Sequence, residues 1–261
     1  MPFDTHNHTD FSFDSDMQID DAIRQANHNH LNLIITEHCD LNEVNKDGTE
    51  INFPIENYFK KYASYHNEQL LLGIELGLDN RMAYIIKNRQ IVSDHAFDFV
   101  IGSIHNIQDY DILNDQSKNF LSKSDFFAQY LIYAENTVNK NPYIDSFAHI
   151  DYPCRYIEYS DNVLRYEDFP MLIDNFLSTL ILHDICLEIN LRLIDRGRFC
   201  EGLSSIVRRY HELGGKYVTI GGDNHVPETI GKKFQMGVDM ARKAGLTPVY
   251  FKQRKRIIDT M

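Results

Sequence analysis

Residues 1–16 read Met1-Pro-Phe-Asp-Thr-His6-Asn-His8-Thr-Asp-Phe-Ser-Phe-Asp14-Ser-Asp16, and this stretch decides how the rest of the sequence is interpreted. His6 and His8 are two positions apart, and residues at that spacing in a β-strand point to the same face. Imidazole is a good ligand for zinc, iron and manganese, and Asp14 can add an oxygen from the following loop. On this pair alone, a metal site and two ordinary surface or core histidines are equally good interpretations.

The composition is that of an ordinary globular protein with an acidic balance. Of 261 residues, 43% are hydrophobic and 25% charged, enough for one barrel-type domain or two smaller ones. The formal net charge of -12 argues against non-specific nucleic-acid binding. No apolar run reaches membrane-spanning length, and the four cysteines form no Cys-x-x-Cys pair. With no signal peptide, we expect free thiols, a cytoplasmic location and no membrane partner.

Short apolar strands alternate with amphipathic helices along the chain. Strands are predicted at 3–8, 33–36, 70–75, 97–105, 144–149, 185–190 and 217–222. Helices are predicted around 19–26, 58–65, 82–94, 126–134, 171–182, 206–213 and 234–241, the last ending at Gly245, and segment 109–122 is predicted to be a loop. Seven β/α units in sequence imply a parallel sheet.

Metal-binding residue types follow the strands, at the carboxyl ends of the first five and the seventh. They are His6, His8, Asp14, His38, Glu75, His105, His149, Asp223 and His225. The histidines at 28, 30, 66, 95, 183 and 211 fall in predicted helices or helix ends, where an ordinary structural role is the better interpretation. An open sheet gathers ligands mainly at its switch point, whereas a barrel brings all strand ends together. We therefore predict an α/β barrel with a metal site at the carboxyl ends of its strands.

Six motifs, in order, resemble those of the PHP (polymerase and histidinol phosphatase) family. They are Asp4-Thr-His6-Asn-His8, Thr36-Glu-His38, Gly73-Ile-Glu75, Gly102-Ser-Ile-His105, Ala148-His149-Ile-Asp151 and Gly222-Asp223-Asn-His225. The resemblance covers essentially the whole chain and implies a single domain over 1–261. The implied fold is a distorted (β/α)7 TIM-like barrel.

The resemblance also implies a trinuclear site for divalent zinc, iron or manganese. The first ion would be held by His6, His8, Glu75 and Asp223. The second would be held by a bridging Glu75 with His105 and His149, and the third by Asp14, His38 and His225. Many relatives carry His where Asp14 stands, so a carboxylate there would tune the third metal differently or leave its site weaker.

Within the family, the chain looks most like the monofunctional L-histidinol-phosphate phosphatases, because no larger polymerase domains accompany the barrel. Leu187-Glu188-Ile-Asn190-Leu-Arg192 also resembles the phosphatase pattern. The implied reaction hydrolyses L-histidinol phosphate to L-histidinol and phosphate, in histidine biosynthesis. Two cations would lower the pKa of a bridging water to give the attacking hydroxide and would hold the phosphoryl oxygens. Glu75 and Asp223 would serve the chemistry as metal ligands.

Arginine suits a phosphate because its planar fork matches two oxygens. Arg155 follows the fifth strand, and Arg192 and Arg196 follow the sixth. We predict that Arg155 and Arg192 bind phosphate and assist catalysis, with Arg196 as the reserve. Surface ion pairs in an acidic protein are the alternative.

The amine of histidinol calls for an acidic residue near the mouth of the site. Asp40 and Asp79 are candidates by position, and Glu188 and Asn190 follow the sixth strand. The last two would either face the substrate or support the metal ligands from behind.

Other functions on the same barrel stay open from the sequence. They are a nuclease or phosphodiesterase, a phosphatase of another small phosphate ester, and a non-catalytic barrel whose metals only support folding. Net charge and the lack of a basic, aromatic-rich stripe argue against the nuclease. We expect a small phosphorylated amino alcohol as substrate, and a monomer or small homo-oligomer.

Overall fold

The computed structural model describes residues 1–44, 50–107, 110–112 and 121–260. Its strands are β1 (Phe3–Asn7), β2 (Asn32–Val44), β3 (Glu50–Ile51), β4 (Leu70–Gly77), β5 (Phe99–Ser103), β6 (Asn106–Ile107), β7 (Tyr110–Asp111), β8 (Ser146–Phe147), β9 (Cys186–Asn190), β10 (Tyr217–Gly221), β11 (Thr247–Lys252) and β12 (Lys255–Ile258). Its α-helices are α1 (Ile19–His28), α2 (Ile55–Tyr62), α3 (Met82–Asp94), α4 (Lys123–Lys140), α5 (Pro170–Leu182), α6 (Gly197–Glu212) and α7 (Phe234–Ala244).

The seven predicted strands correspond to β1, β2, β4, β5, β8, β9 and β10, and the predicted helices correspond to α1–α7. Gly245 ends α7 in the left-handed conformation, with φ 77°, which glycine adopts without strain. The short strands β3, β6 and β7 and the β11–β12 hairpin were not predicted. Much of the predicted loop 109–122, namely 109 and 113–120, lies outside the described residues.

The seven strands pair in chain order and run parallel, and β11 then extends the sheet beyond β10. The first and seventh strands also lie side by side. A single parallel bridge joins Asn7 to Asn224, and Thr5 Oγ1 donates to the Ile220 carbonyl at 3.0 Å. Within the described ranges no continuous ladder joins β1 to β10, so these few contacts form a seam between the first and seventh strands. The predicted α/β class and the parallel order of the seven strands are confirmed.

Alternating side chains give the barrel interior an apolar end and a polar end. On β4, Leu71 and Glu75 share the inner face because they are an even number of residues apart. Leu71 belongs to a buried cluster that also contains Phe3, Ile34, Phe99 and Phe251. The interior below the site is therefore filled with apolar side chains, and the polar site lies above them. Over the described residues, no helix is both long and apolar enough to cross a membrane.

Candidate metal centre

Glu75, on β4, lies at the centre of a group of histidines and is fully buried. Its Oε2 atom is 3.2 Å from His6 Nε2, 3.4 Å from His8 Nε2 and 3.1 Å from His38 Nδ1. These three histidines come from β1, the turn after it, and β2. One carboxylate oxygen thus meets imidazoles delivered by two adjacent strands.

The other oxygen of Glu75 faces the neighbouring strands. Its Oε1 atom is 3.0 Å from His149 Nε2 and 3.4 Å from His105 Nε2. His105 follows β5 and His149 follows β8. Glu75 is therefore placed between two separate groups of imidazoles, which is the geometry that a carboxylate bridging two cations requires.

Asp14, Asp223 and His225 complete the cluster from the seventh strand and the first loop. Asp223 Oδ1 lies 3.7 Å from His8 Nε2 and 3.6 Å from His225 Nδ1. Asp14 Oδ2 lies 3.0 Å from His225 Nε2 and 3.7 Å from His38 Nε2. The structure thus brings together all nine side chains that the sequence singled out.

Two of these residues have unusual backbone conformations. His149 has φ 26° and Asp223 has φ 53°, both on the left-handed side of the Ramachandran map. Few non-glycine residues adopt this region, although Asp and His do so more often than most, and conformations of this kind gather at functional sites. Each lies where the chain leaves a strand, and the bend turns the side chain into the cluster.

The cluster concentrates opposite charges in a buried space. Burial alone would raise the pKa of Glu75, yet His38 and His6 hold that pKa well below its ordinary value. Burial would lower the pKa of His38, but Glu75 and Asp40 raise it to about 9. Glu75 and Asp40 therefore hold a proton on His38, and a divalent cation would replace that proton.

The donor set fits borderline divalent cations. Four groups of three side chains have ligand atoms within 4.8 Å of one another: His8 with His38 and His225, His6 with Glu75 and His149, His6 with His8 and Asp223, and His38 with Asp40 and His105. The buried atoms His8 Nε2 and His38 Nδ1 find no hydrogen-bond partner in the described part of the chain. Nitrogen and carboxylate donors of this kind suit zinc, iron or manganese.

Two carboxylates stand behind the histidines. Glu188, on β9, lies 2.7 Å from His6 Nδ1 and accepts the His149 backbone N–H at 2.8 Å. Asp40, on β2, lies 2.8 Å from His105 Nδ1. Glycine makes room for the first of them, since a Cβ on Gly221 would lie 2.1 Å from Glu188 Oε1.

The acidic residues expected to contact substrate are held by other partners, although Asp40 also lines the cleft that opens onto the cluster. Glu188 is fully buried and its oxygens are engaged, which matches the supporting role that was its alternative. Asp40 is occupied by His105 and His38. Asp79 is also buried and forms an ion pair with Arg81 at 2.6 Å.

A model of the PHP domain family matches residues 4–192 of the sequence. The chain belongs to the PHP domain family. A protein of Clostridium acetobutylicum named probable histidinol-phosphatase is 39% identical, over 97% of this chain and 98% of the relative. A histidinol-phosphatase of Lactococcus lactis is 28% identical, over 93% of this chain and 91% of the relative.

A solved structure is similar to this chain over nearly its whole length. It is histidinol phosphate phosphatase from Lactococcus lactis, complexed with zinc, L-histidinol and phosphate. The TM-score is 0.90 at 26% sequence identity, and the match covers 99% of each chain. The resemblance deduced from the six sequence motifs is confirmed.

The three arginines predicted to contact phosphate occupy different positions. Arg155 donates from Nη1 to Asp223 Oδ2 at 2.7 Å and from Nη2 to Asn190 Oδ1 at 2.9 Å. Arg192 donates to the Asp223 carbonyl at 2.9 Å. Both line the cleft that opens onto the cluster, whereas Arg196 is exposed at the start of α6 and is not among the lining residues.

Arg155 also sets the charge of the residue it contacts. Burial would raise the pKa of Asp223, but Arg155 and His6 hold it well below its ordinary value. The side chain of Arg155 is only 9% exposed, so its charge acts at short range in a site that water barely reaches. The ion pair keeps Asp223 ionised beside the histidines.

Other residues of this PHP domain site had no role predicted from the sequence. Phe13, Tyr152 and Tyr156 form part of the cleft wall. Ser12 and Glu37 lie behind His8, hydrogen-bonded to each other at 2.5 Å. Ser12 belongs to the opening stretch and Glu37 precedes His38, so proximity to the motifs was the available signal.

Proposed function

We propose that this PHP domain is a metal-dependent phosphomonoesterase that hydrolyses L-histidinol phosphate to L-histidinol and phosphate. The observation that carries the proposal is the placement of Glu75 between two groups of imidazoles, with five ring nitrogens 3.0–3.4 Å from its two oxygens. The relatives named histidinol-phosphatase, and the similar structure that contains zinc, L-histidinol and phosphate, support this choice of reaction and substrate.

We assign three divalent ions to the cluster, with zinc favoured by the metal of the similar structure. The proposed ligands of the first are His6, His8, Glu75 and Asp223. Those of the second are Glu75, His105 and His149, and those of the third are Asp14, His38 and His225. Asp14 is 37% exposed, the most open of the side chains at the third site, which suits a site that exchanges its ion more readily.

Ions held there supply charge neutralisation for the phosphoryl oxygens and activate water for attack on phosphorus. The chain's own residues fix where this happens. Glu75 sets the spacing of the first two sites, because its two oxygens face different histidine groups. Asp223 stays ionised through its contact with Arg155, and so keeps a full negative charge available at the first site.

We propose that Arg155 and Arg192 meet the phosphoryl group at the mouth of the cleft. Each has donors directed at Asp223, so the two guanidinium groups converge on one side of the cluster. Their charge would offset the repulsion between a phosphate and an acidic protein whose net charge is -12. Charge on the phosphoryl oxygens in the transition state would strengthen these contacts.

We also propose the wider setting predicted from the sequence. The chain would form one domain over 1–261 and would act as a monomer or small homo-oligomer, without nucleic-acid or membrane partners. A cytoplasmic location is supported by the cysteines, none of which forms a disulfide within the described residues. Arg196 is kept as a weaker candidate for substrate contact, at the rim.

The test is a substrate panel with elemental analysis of the same preparation. L-histidinol phosphate should be hydrolysed with a kcat/KM at least tenfold above that of other small phosphomonoesters. A single-stranded oligonucleotide, which tests the nuclease alternative, should not be cleaved. Preferential cleavage of the oligonucleotide would refute the proposal, and a preference for another monoester would retain the phosphatase and replace the substrate.

A further inference from the structure

The histidines of the cluster differ in how their outer nitrogens are held. His6 Nδ1 and His105 Nδ1 each meet a carboxylate directly, at 2.7 Å from Glu188 and 2.8 Å from Asp40. His8 Nδ1 instead meets the Ser12 hydroxyl, at 3.0 Å. A hydroxyl can donate or accept, so by itself it does not fix which nitrogen of His8 carries the proton.

The surroundings of Ser12 decide its direction. A hydroxyl has one proton to donate and two positions that accept. The Ser12 hydroxyl donates to Glu37 Oε2 at 2.5 Å and accepts the backbone N–H of His38 at 3.1 Å. Its remaining position accepts, and His8 Nδ1 must then be the donor.

The neighbours of Glu37 make its carboxylate a hydrogen-bond acceptor. The Thr9 backbone N–H lies 3.2 Å from Oε1 and 3.1 Å from Oε2, and the Thr9 hydroxyl also donates to Oε1. Each of these groups, like the Ser12 hydroxyl, donates to the carboxylate, and Glu37 is fully buried among them. Because this carboxylate only accepts hydrogen bonds, the Ser12 hydroxyl must donate its proton to Glu37.

We propose that Ser12 and Glu37 act as a positioning relay that locks His8 in the tautomer with the proton on Nδ1. The lone pair of His8 Nε2 then faces Glu75 at 3.4 Å and Asp223 at 3.7 Å. In the described part of the chain that buried nitrogen makes no hydrogen bond, as a ligand atom should. The inference rests on the metal centre proposed above. Ser12 and Glu37 together would give His8 the fixed orientation that carboxylates give to His6 and His105.

The direct test is nuclear magnetic resonance of the full chain labelled with ¹⁵N in histidine, before and after loading with Zn²⁺. The His8 signals are assigned by their loss in His8→Gln. In the wild type we expect the Nδ1–H tautomer in both states, and this measurement needs no relay variant. An Nε2–H tautomer before loading would overturn the proposal.

The second test uses Glu37→Gln, which keeps the size of the side chain and adds an N–H donor. Either orientation of the amide places that donor against Ser12 or Thr9. We expect the Nε2–H tautomer of His8 to become populated, and Zn²⁺ affinity, measured by competition with a chelator, to fall by roughly 10–100-fold. Ser12→Ala should lower the affinity to a similar extent.

Ser146→Ala is the matched control, because it also removes a buried serine hydroxyl, one whose partners Cys186 and Thr219 do not belong to the cluster. It should leave both Zn²⁺ affinity and the His8 tautomer unchanged. Wild-type affinity and tautomer in both relay variants would refute the relay. Neither measurement uses a phosphate ester, so failure of the relay and failure of the proposed phosphatase activity are distinguishable.

Discussion

Replacing Glu75 with glutamine tests the centre of the site with the least change of shape. Each of the two Glu75 oxygens contacts a different histidine group, the nearest nitrogens being 3.1 Å away at His38 and 3.0 Å away at His149. A contact to a charged group is worth about 1.5–3 kcal/mol and one to a neutral group about 0.5–1.5 kcal/mol. Glutamine loses the contact on the side where N–H₂ replaces an oxygen and keeps a neutral contact on the other, which removes about 2.5–4.5 kcal/mol. We expect kcat/KM to fall by roughly 10²–10³-fold.

The assay combines steady-state kinetics on L-histidinol phosphate with elemental analysis. Glu75→Gln should lose metal from both sites it joins, so ion content and turnover should fall together. Glu56→Gln makes the same chemical change at a side chain that is 88% exposed, and His28→Ala removes an exposed helical histidine. Both controls should behave as wild type. Full metal content and near-normal kcat/KM in Glu75→Gln would refute the bridging arrangement.

Three further predictions concern the metals, the arginines and a carboxyl group far from the site. Exhaustive chelation should abolish turnover and lower Tm, and full activity in verified metal-free protein would contradict the mechanism. Arg155→Ala and Arg192→Ala should each lower kcat/KM by about 10²-fold, near 3 kcal/mol, with partial rescue by Lys; wild-type kinetics in both would shift attention to Arg196. Arg192→Ala should leave metal content unchanged, whereas Arg155→Ala also removes the cation that keeps Asp223 ionised and should lower it. Burial raises the pKa of Asp259 from 3.8 to about 6, so its contribution to stability is present at low pH and lost as pH rises through 6. Asp259→Asn should therefore gain up to about 3 kcal/mol over wild type between pH 4 and 7.5 in urea unfolding, while keeping an acceptor for the Phe3 N–H; a pH-independent difference would contradict this.

The clustering of the nine candidate ligands was predictable because the strands that carry them are apolar runs. Apolar runs predict the buried strands Leu70–Gly77 and Cys186–Asn190, and a parallel barrel places the carboxyl ends of its strands on one side. The length of β2 was not predictable, since it continues to Val44 through polar residues that serve the site. β11 was missed because Pro248 weakens a strand pattern, and pairing to β10 overrides it.

The supporting residues could not be found in the same way. Ser12 and Glu37 are 25 positions apart, and only the folded turn after β1 brings the hydroxyl against the carboxylate. The motif identified Glu188 as a candidate but did not show whether it faces the substrate or supports a metal ligand. Strand periodicity does not show which of several inward side chains reaches the cavity. Packing behind His6 gives the answer, through the space left by Gly221.

The seam between β1 and β10 has a consequence for biosynthesis. Its contacts join residues very far apart in the chain, 215 positions for Thr5 and Ile220 and 220 for Asp4 and Asn224. At about 5–20 residues per second, a ribosome takes roughly 10–40 s to make the second partner after the first. Pairings of such high contact order form late. The candidate ligands Asp223 and His225 therefore reach His6 and His8 only after most of the barrel has formed. The first of the proposed metal sites is then complete only in the assembled barrel and not in the nascent chain.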